Sequence, residues 1–237
     1  MKIVGKNAAR EILNSSNIIE CIYLNENFNN GEILKLINKR HITPIYKSMS
    51  EMDKLSKEVH QGIIIEAEDY EYFSFEDIKN DSKANFIVIL DHIEDPRNFG
   101  AIIRTCECAG VDYIIIPNKR TTLVTSTVMK TSSGALTNQK VALVSNLNNT
   151  ISKLKELGYW IVGSDAEGTD YKSIDYTGKV ALIIGSEGFG LKELVRKNCD
   201  FIASIPLKGK VNSLNASVAA GILIYEVVRN RKWQQKS

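Results

Sequence analysis

The chain has 237 residues, of which 43% are hydrophobic and 24% charged, with a formal net charge of +2. This is the composition of an ordinary globular protein, and it excludes collagen-like, coiled-coil and disordered chains. No apolar run approaches the ~18 residues of a membrane helix, and Met1 to Asn7 lack the apolar stretch of a signal peptide, so a cytoplasmic location is expected.

The length suggests one large or two small domains, and the pattern favours two. Asn7 to Leu13 reads as a short helix and Glu20 to Leu24 as a strand. Asn29 or Asn30 can cap a helix whose apolar positions Ile33, Leu34, Leu36 and Ile37 recur at helical spacing. Thr43 to Tyr46 reads as a strand, Ser50 with Asp53 as a capping box opening a helix to Val59, and Gly62 to Ala67 as a strand. The expectation for residues 1–68 is a small α/β unit of the form αβαβαβ. Residues 69–84 are polar, acidic and aromatic without a sustained period. They read as a linker with one short helix near Phe75 to Lys79.

From Asn85 onward the apolar runs lengthen. Phe86 to Leu90, Tyr113 to Ile116, Val141 to Val144, Trp160 to Val162, Val180 to Ile184 and Phe201 to Ile205 suit parallel strands covered on both faces. Helical stretches lie between most of them, at Phe99–Ala109, Ser126–Ser132, Leu147–Leu157 and Leu191–Lys197. A long helix follows at Leu214–Arg229, its apolar run Ala216 to Tyr225 reading as buried. Residues 85–237 are thus expected to form an α/β domain with a parallel sheet.

Cys21, Cys106, Cys108 and Cys199 form no C-x-x-C pair, and His41, His60 and His92 lack ligand spacing. Idle thiols and no zinc site are expected. Residues 1–72 hold 9 basic and 11 acidic side chains, so the positive excess lies in the rest of the chain. Such a bias permits a phosphate-bearing partner, but a solvated surface is its more frequent meaning.

Ligands of open parallel sheets bind beyond the carboxyl ends of strands, and three loops stand there. The first, Asp91 to Gly100, leads into a helix carrying Arg104. Asn98 can cap that helix, and Arg104 reads either as a salt-bridged surface residue or as a functional one. The second, Gly185-Ser-Glu-Gly-Phe-Gly190, is a plain turn or a place where backbone approaches a ligand. Its glycine order is not the dinucleotide fingerprint. The third, Pro206 to Ser217, holds a basic hairpin, Lys208-Gly209-Lys210, and then Ser213 and Asn215, either of which can be the N-cap of the last helix. A helix N-terminus can also receive an anion or a polar ligand edge.

Taken together and in this order, Asp-Pro-Arg-Asn-Phe-Gly-Ala-Ile-Ile-Arg-Thr (95–105), Ile-Ile-Gly-Ser-Glu-Gly-Phe-Gly-Leu (183–191) and Ile-Pro-Leu-Lys-Gly-Lys-Val-Asn-Ser-Leu-Asn-Ala-Ser-Val-Ala-Ala-Gly (205–221) resemble the three motifs of the SpoU (TrmH-type) RNA 2'-O-ribose methyltransferases of the SPOUT superfamily. Lys130-Thr-Ser-Ser-Gly-Ala135 is similar to the same family. The N-terminal stretch, from Val4-Gly-Lys-Asn-Ala to His60-Gln-Gly-Ile, is similar to the substrate-binding domain that several members carry. The combination is closest to the subgroup that methylates a guanosine of 23S ribosomal RNA.

The resemblance implies a parallel-sheet domain whose C-terminal segment forms a trefoil knot, an S-adenosylmethionine site there, and a homodimer with the active site near the subunit interface. By motif match, Gly185, Ile205 and Leu214 would contact the cofactor, and Asn98, Arg104, Glu187, Ser213 and Asn215 would carry catalysis. Arg104 would stabilise the developing alkoxide while the other four orient it, the ribose and the loops. Lys2, Lys6, Arg10, Lys35, Lys39 and Arg40 can form a basic face for RNA on the N-terminal unit. The alternatives are a transfer-RNA ribose methyltransferase of the same family and a non-catalytic RNA-binding assembly factor. A nicotinamide oxidoreductase is disfavoured by the glycine order and the absence of a ribose-binding acid.

Overall fold

The computed structural model describes residues 1–15, 18–186, 190–211 and 213–231. The N-terminal unit comprises β1 (Lys2–Val4), α1 (Lys6–Asn14), β2 (Ile19–Asn25), α2 (Gly31–Lys39), β3 (Ile45–Lys47), α3 (Met49–Leu55) and β4 (Ile63–Ala67). Its sheet has the order β1-β4-β2-β3, with β4 antiparallel to both neighbours and β2 parallel to β3. The unit is therefore βαβαβαβ and not αβαβαβ. Strand β1 has only three residues, too few to show a period, and pairing with β4 creates it. Asn30 caps α2, accepting from Ile33 N–H at 3.0 Å. The capping pair of α3 is Ser48 and Glu51, whose carboxylate accepts from Ser48 N–H at 2.9 Å. Ser50 lies inside that helix, which ends at Leu55 and not at Val59.

The linker docks on the second sheet. Phe73 N–H donates to Val141 O and Phe73 O accepts from Leu143 N–H, so the segment runs beside an edge strand. Tyr70 Oη contacts Gln139 O and Val141 N–H, and Tyr72 Oη accepts from Val124 N–H at 2.7 Å. The short helix α4 spans Phe75–Asn80.

The second sheet is wholly parallel. Its strands are β5 (Phe86–Leu90), β6 (Tyr113–Pro117), β7 (Lys140–Val144), β8 (Trp160–Asp170), β9 (Val180–Ile184) and β10 (Phe201–Ser204), in the order β10-β8-β9-β5-β6-β7. The connecting helices are α5 (Pro96–Ala109), α6 (Ser126–Ser132), α7 (Leu147–Glu156), α8 (Glu193–Lys197) and α9 (Ala216–Asn230). Strand β5 shows why its run is unbroken. Phe86, Val88 and Leu90 pack with residues of α5, α6 and α9, whereas Ile87 and Ile89 pack with residues of α4, α7 and α8. Both faces are covered, so neither can be polar. The first of these clusters continues into Ile12, Leu13 and Ile33 of the N-terminal unit, and α1 packs against α6.

Several boundaries differ from the sequence expectation. Strand β8 runs to Asp170 because β10 extends its pairing: Trp160 to Gly163 pair with β9, while β10 pairs with Val162 and Gly163 and, after a register shift, with Thr169 and Asp170. Helix α5 begins at Pro96, not at Phe99. Asp95 caps it by accepting from Arg97 N–H at 2.8 Å, and proline at the first helical position presets the backbone for that start. Lys208 to Lys210 form no hairpin, the chain only bending at Gly209 and Lys210. Helix α9 is buried on one face only, with Val218 50% and Tyr225 42% exposed. Glycine at position 100 lets α5 meet α6, because a Cβ there would stand 2.6 Å from Thr131 Cβ and 2.9 Å from Val128 O. No helix among the described residues is long and apolar enough to cross a membrane.

Candidate active site

Strands β5 and β9 are parallel neighbours. The chain leaves β5 for β6 and β7 on one side of it, and it enters β9 from β8 on the other, so their carboxyl ends form a switch point where open sheets take ligands. The loop after β9 closes on itself. Ser186 N–H donates to Gly190 O and Gly190 N–H to Ser186 O, both at 3.2 Å. A Cβ on Gly185 would lie 2.5 Å from Gly190 C and 2.6 Å from Gly190 O, so only glycine permits that closure. Gly190 itself is left-handed, with φ +62.

Beside this loop lies a partly open cleft of about 320 Å3. Three expected cofactor residues, Gly185, Ile205 and Leu214, line it, as do Ser213, Ser164 and Asp165. The last two were not singled out in the sequence. They follow the run Trp160 to Val162, so a strand-end rule applied to that strand could have found them. Asp165 is ion-paired with Arg196 at 2.7 Å.

Asn215, not Ser213, is the N-cap of α9. Its Oδ1 accepts from Ser217 N–H at 2.9 Å and Val218 N–H at 3.4 Å, while its Nδ2 donates to Asn98 Oδ1 at 3.1 Å. Asn98 is buried within the first turn of α5 and does not cap it. The first and third motif segments thus meet through two asparagine side chains. Arg104 does not join them. It sits six residues beyond Asn98 on α5, turned about 120° around the helix, and its side chain is exposed, with no hydrogen bond or ion pair among the described residues. Glu187 lies outside the described residues.

Cys106 and Cys199 offer no competing nucleophile. Burial pushes Cys199 up to about 12 and raises Cys106 further, so both stay protonated at neutral pH. Among the described residues, no group of three or more His, Cys, Asp or Glu side chains is placed to hold a metal ion. On the N-terminal unit, Arg10 is paired with Glu32 at 2.8 Å and Lys2 with Glu66 at 3.6 Å, so part of the expected basic face is internally neutralised.

Residues 85–225 match the SpoU rRNA methylase family, and residues 2–73 match the substrate-binding domain of RNA 2'-O ribose methyltransferases. The chain belongs to the SpoU methylase family. It is 44% identical to a protein of Staphylococcus saprophyticus named as a TrmH family tRNA/rRNA methyltransferase, over 98% of this chain and 96% of that one. A SpoU family member of this kind is an RNA methyltransferase. The fold matches the crystal structure of an AdoMet-bound rRNA methyltransferase from Sinorhizobium meliloti with a TM-score of 0.78, at 24% identity, over 96% of this chain and 86% of that one. A TrmH/SpoU tRNA modifying enzyme of A. aeolicus matches with a TM-score of 0.58, at 28% identity, over 67% of this chain and 81% of that one.

Proposed function

We propose that this SpoU methylase works as a homodimer that methylates a ribose 2'-hydroxyl with S-adenosylmethionine, its target being a guanosine of 23S ribosomal RNA. The observation that carries the reading is the Asn98–Asn215 link beside the cleft, which joins the expected substrate-side and cofactor-side segments.

The cleft suits this cofactor. Ile205, Leu207 and Leu214 offer apolar faces for an adenine, and the side-chain-free Gly185 and Gly190 let its edge approach the backbone closely. Ser164, Asp165 and Ser213 offer polar atoms for a ribose and an amino-acid tail. When bound, S-adenosylmethionine supplies an electrophilic methyl carbon on a cationic sulfur. The protein's part is chiefly alignment. Asn98 and Asn215 hold the two segments in register, and Ser213 and Glu187 orient the ribose and the loops. A hydroxyl is a weak nucleophile until it shares its proton. Arg104, a permanent cation, stabilises the negative charge growing on the oxygen.

Arg104 stands outside the cleft of its own subunit, which supports its serving the partner's cleft. Helix α9, packed against α5, exposes Val218 and Tyr225, apolar surface suited to a subunit interface. The trefoil threading belongs to the same reading, supported by the convergence of Ser164 and Asp165, Gly185 and Gly190, and Ile205 and Leu214 on one cleft. Residues 1–68 hold RNA, 69–84 link and 85–237 catalyse, in the cytoplasm.

The ribosomal target is supported by coverage. The rRNA methyltransferase fold accompanies nearly the whole chain, whereas the tRNA modifying enzyme accompanies two thirds of it. The test is to incubate the protein with methyl-labelled S-adenosylmethionine and, separately, ribosomal and transfer RNA, then map the alkali-resistant linkage. Label at a guanosine of 23S RNA is expected. Label in transfer RNA alone would assign the other substrate, and no label would sink the reading.

A further inference from the structure

A second cavity, of about 510 Å3, also borders the Ser186–Gly190 closure and is lined in part by His92, Asn98, Arg120, Ser186 and Lys192. Next to its lining is Asp91, only 1% exposed. His92 follows with φ +63, a left-handed backbone that few side chains adopt. That turn sets the imidazole between two partners. Nδ1 meets Asp91 Oδ1, and Nε2 lies 2.7 Å from Lys192 Nζ. The other Asp91 oxygen accepts from Lys192 N–H at 3.3 Å.

An imidazole that donates its Nδ1 hydrogen to a carboxylate presents Nε2 as an acceptor, so the Lys192 ammonium is the donor. A ring, and not a carboxylate, therefore holds this ammonium at the cavity, and its charge is left for another partner. Arg120, also left-handed at φ +54, adds a second cation, exposed and without an ion pair among the described residues. Glu94 and Asp95 also line the cavity. Neither pairs with Lys192 or Arg120, and Asp95 is engaged at the start of α5, where it accepts from the backbone N–H of Arg97.

We propose that this second cavity seats a backbone phosphate of the RNA next to the ribose being methylated, with Lys192 and Arg120 as its contacts and His92 as the positioning residue for Lys192. The proposal rests on the RNA methyltransferase reading of the adjoining cleft. The two cavities share Ser186 and Gly190, and Asn98 lines this one, so a ribose offered at the Asn98–Asn215 link carries its flanking phosphate toward it. An ammonium and a guanidinium are the usual phosphate contacts. The strained backbone at His92, where glycine would sit freely, is the kind of local cost that persists where a side chain has a task. The other anion within reach of such a pair is the carboxylate of the cofactor's amino-acid tail, and the experiment separates the two.

The full-length protein is compared with Lys192→Gln, Arg120→Gln and His92→Gly. For both cation variants, the KM for RNA should rise about tenfold with kcat little changed and S-adenosylmethionine affinity by calorimetry unaltered. The dependence of RNA binding on log salt, measured without cofactor, should flatten by about 0.7 to 0.9 per cation removed. His92→Gly should weaken RNA binding in the same direction, by less, with a melting temperature equal to or above wild type. An unchanged salt slope and KM in both cation variants would overturn the proposal, as would lost cofactor affinity with RNA binding intact. The salt slope needs no turnover, so it remains decisive even if wild-type protein methylates no RNA, a result that would instead defeat the proposed function.

Discussion

Asn215 donates from Nδ2 to Oδ1 of Asn98 at 3.1 Å across 117 residues of chain, tying the start of α9 to the first turn of α5. The same side chain caps α9 through its oxygen, so its two ends have separable duties. Asn215→Ala should cost about 1 kcal/mol through the lost cap, read by denaturant unfolding. Asn215→Asp keeps the acceptor but sets a carboxylate against Asn98 Oδ1. It should retain most of the stability and lose most methyl transfer. Equal activity in Asp and wild-type proteins would show that the link between α5 and α9 is dispensable.

Gly185 tests the cleft more directly. Added methyl volume would meet backbone atoms of Gly190 at 2.5–2.6 Å, and backbone cannot rotate aside as a side chain can. Gly185→Ala should open the Ser186–Gly190 closure and abolish detectable S-adenosylmethionine binding in calorimetry, while the far-ultraviolet circular dichroism stays that of the wild type.

Arg104 and the exposed face of α9 are linked in the dimer reading. Arg104→Lys keeps a positive charge but loses the planar fork. Turnover should fall at least about tenfold with cofactor affinity intact. Val218→Asp, on the half-exposed face of α9, should shift the protein to monomer in analytical ultracentrifugation. Mixing Arg104→Lys with a cleft variant such as Gly185→Ala should restore part of the activity in heterodimers if Arg104 serves the partner's cleft, and none if it serves its own.

Glu11 predicts a pH dependence of stability. It lies on α1, which packs against α6. Its Oε2 is buried without a hydrogen-bond partner among the described residues, and burial raises its carboxyl from 4.5 to about 7, against the opposing pull of Arg10 and Lys130. The folded state therefore binds a proton more tightly than the unfolded chain. Its advantage is complete below about pH 4.5 and is lost as pH rises through about 7. Glu11→Gln, which cannot ionise, should melt increasingly above wild type between pH 5 and pH 8. A difference constant across that range would remove Glu11 as the cause.

The sequence by itself determined the layered α/β architecture. Runs such as Phe86–Leu90 and Val180–Ile184 are apolar at every position, and only strands covered on both faces require that. It also pointed to the segments after β5, β9 and β10, strand-end loops that the parallel sheet brings to one end. What it left open followed from contacts made across long separations. Strand β1 exists because β4 pairs with it. Asn98 reads locally as a cap, but Pro96 lets Asp95 take that duty, and packing turns Asn98 inward to Asn215. Ser164 and Asp165 joined the cleft only because β8 lies beside β9, and Lys192 reached His92 only because the loops after β5 and β9 share one end of the sheet. Local propensity and period speak for neighbours a few residues apart. The order of strands in a sheet brings together residues a hundred apart, and only the folded chain decides it.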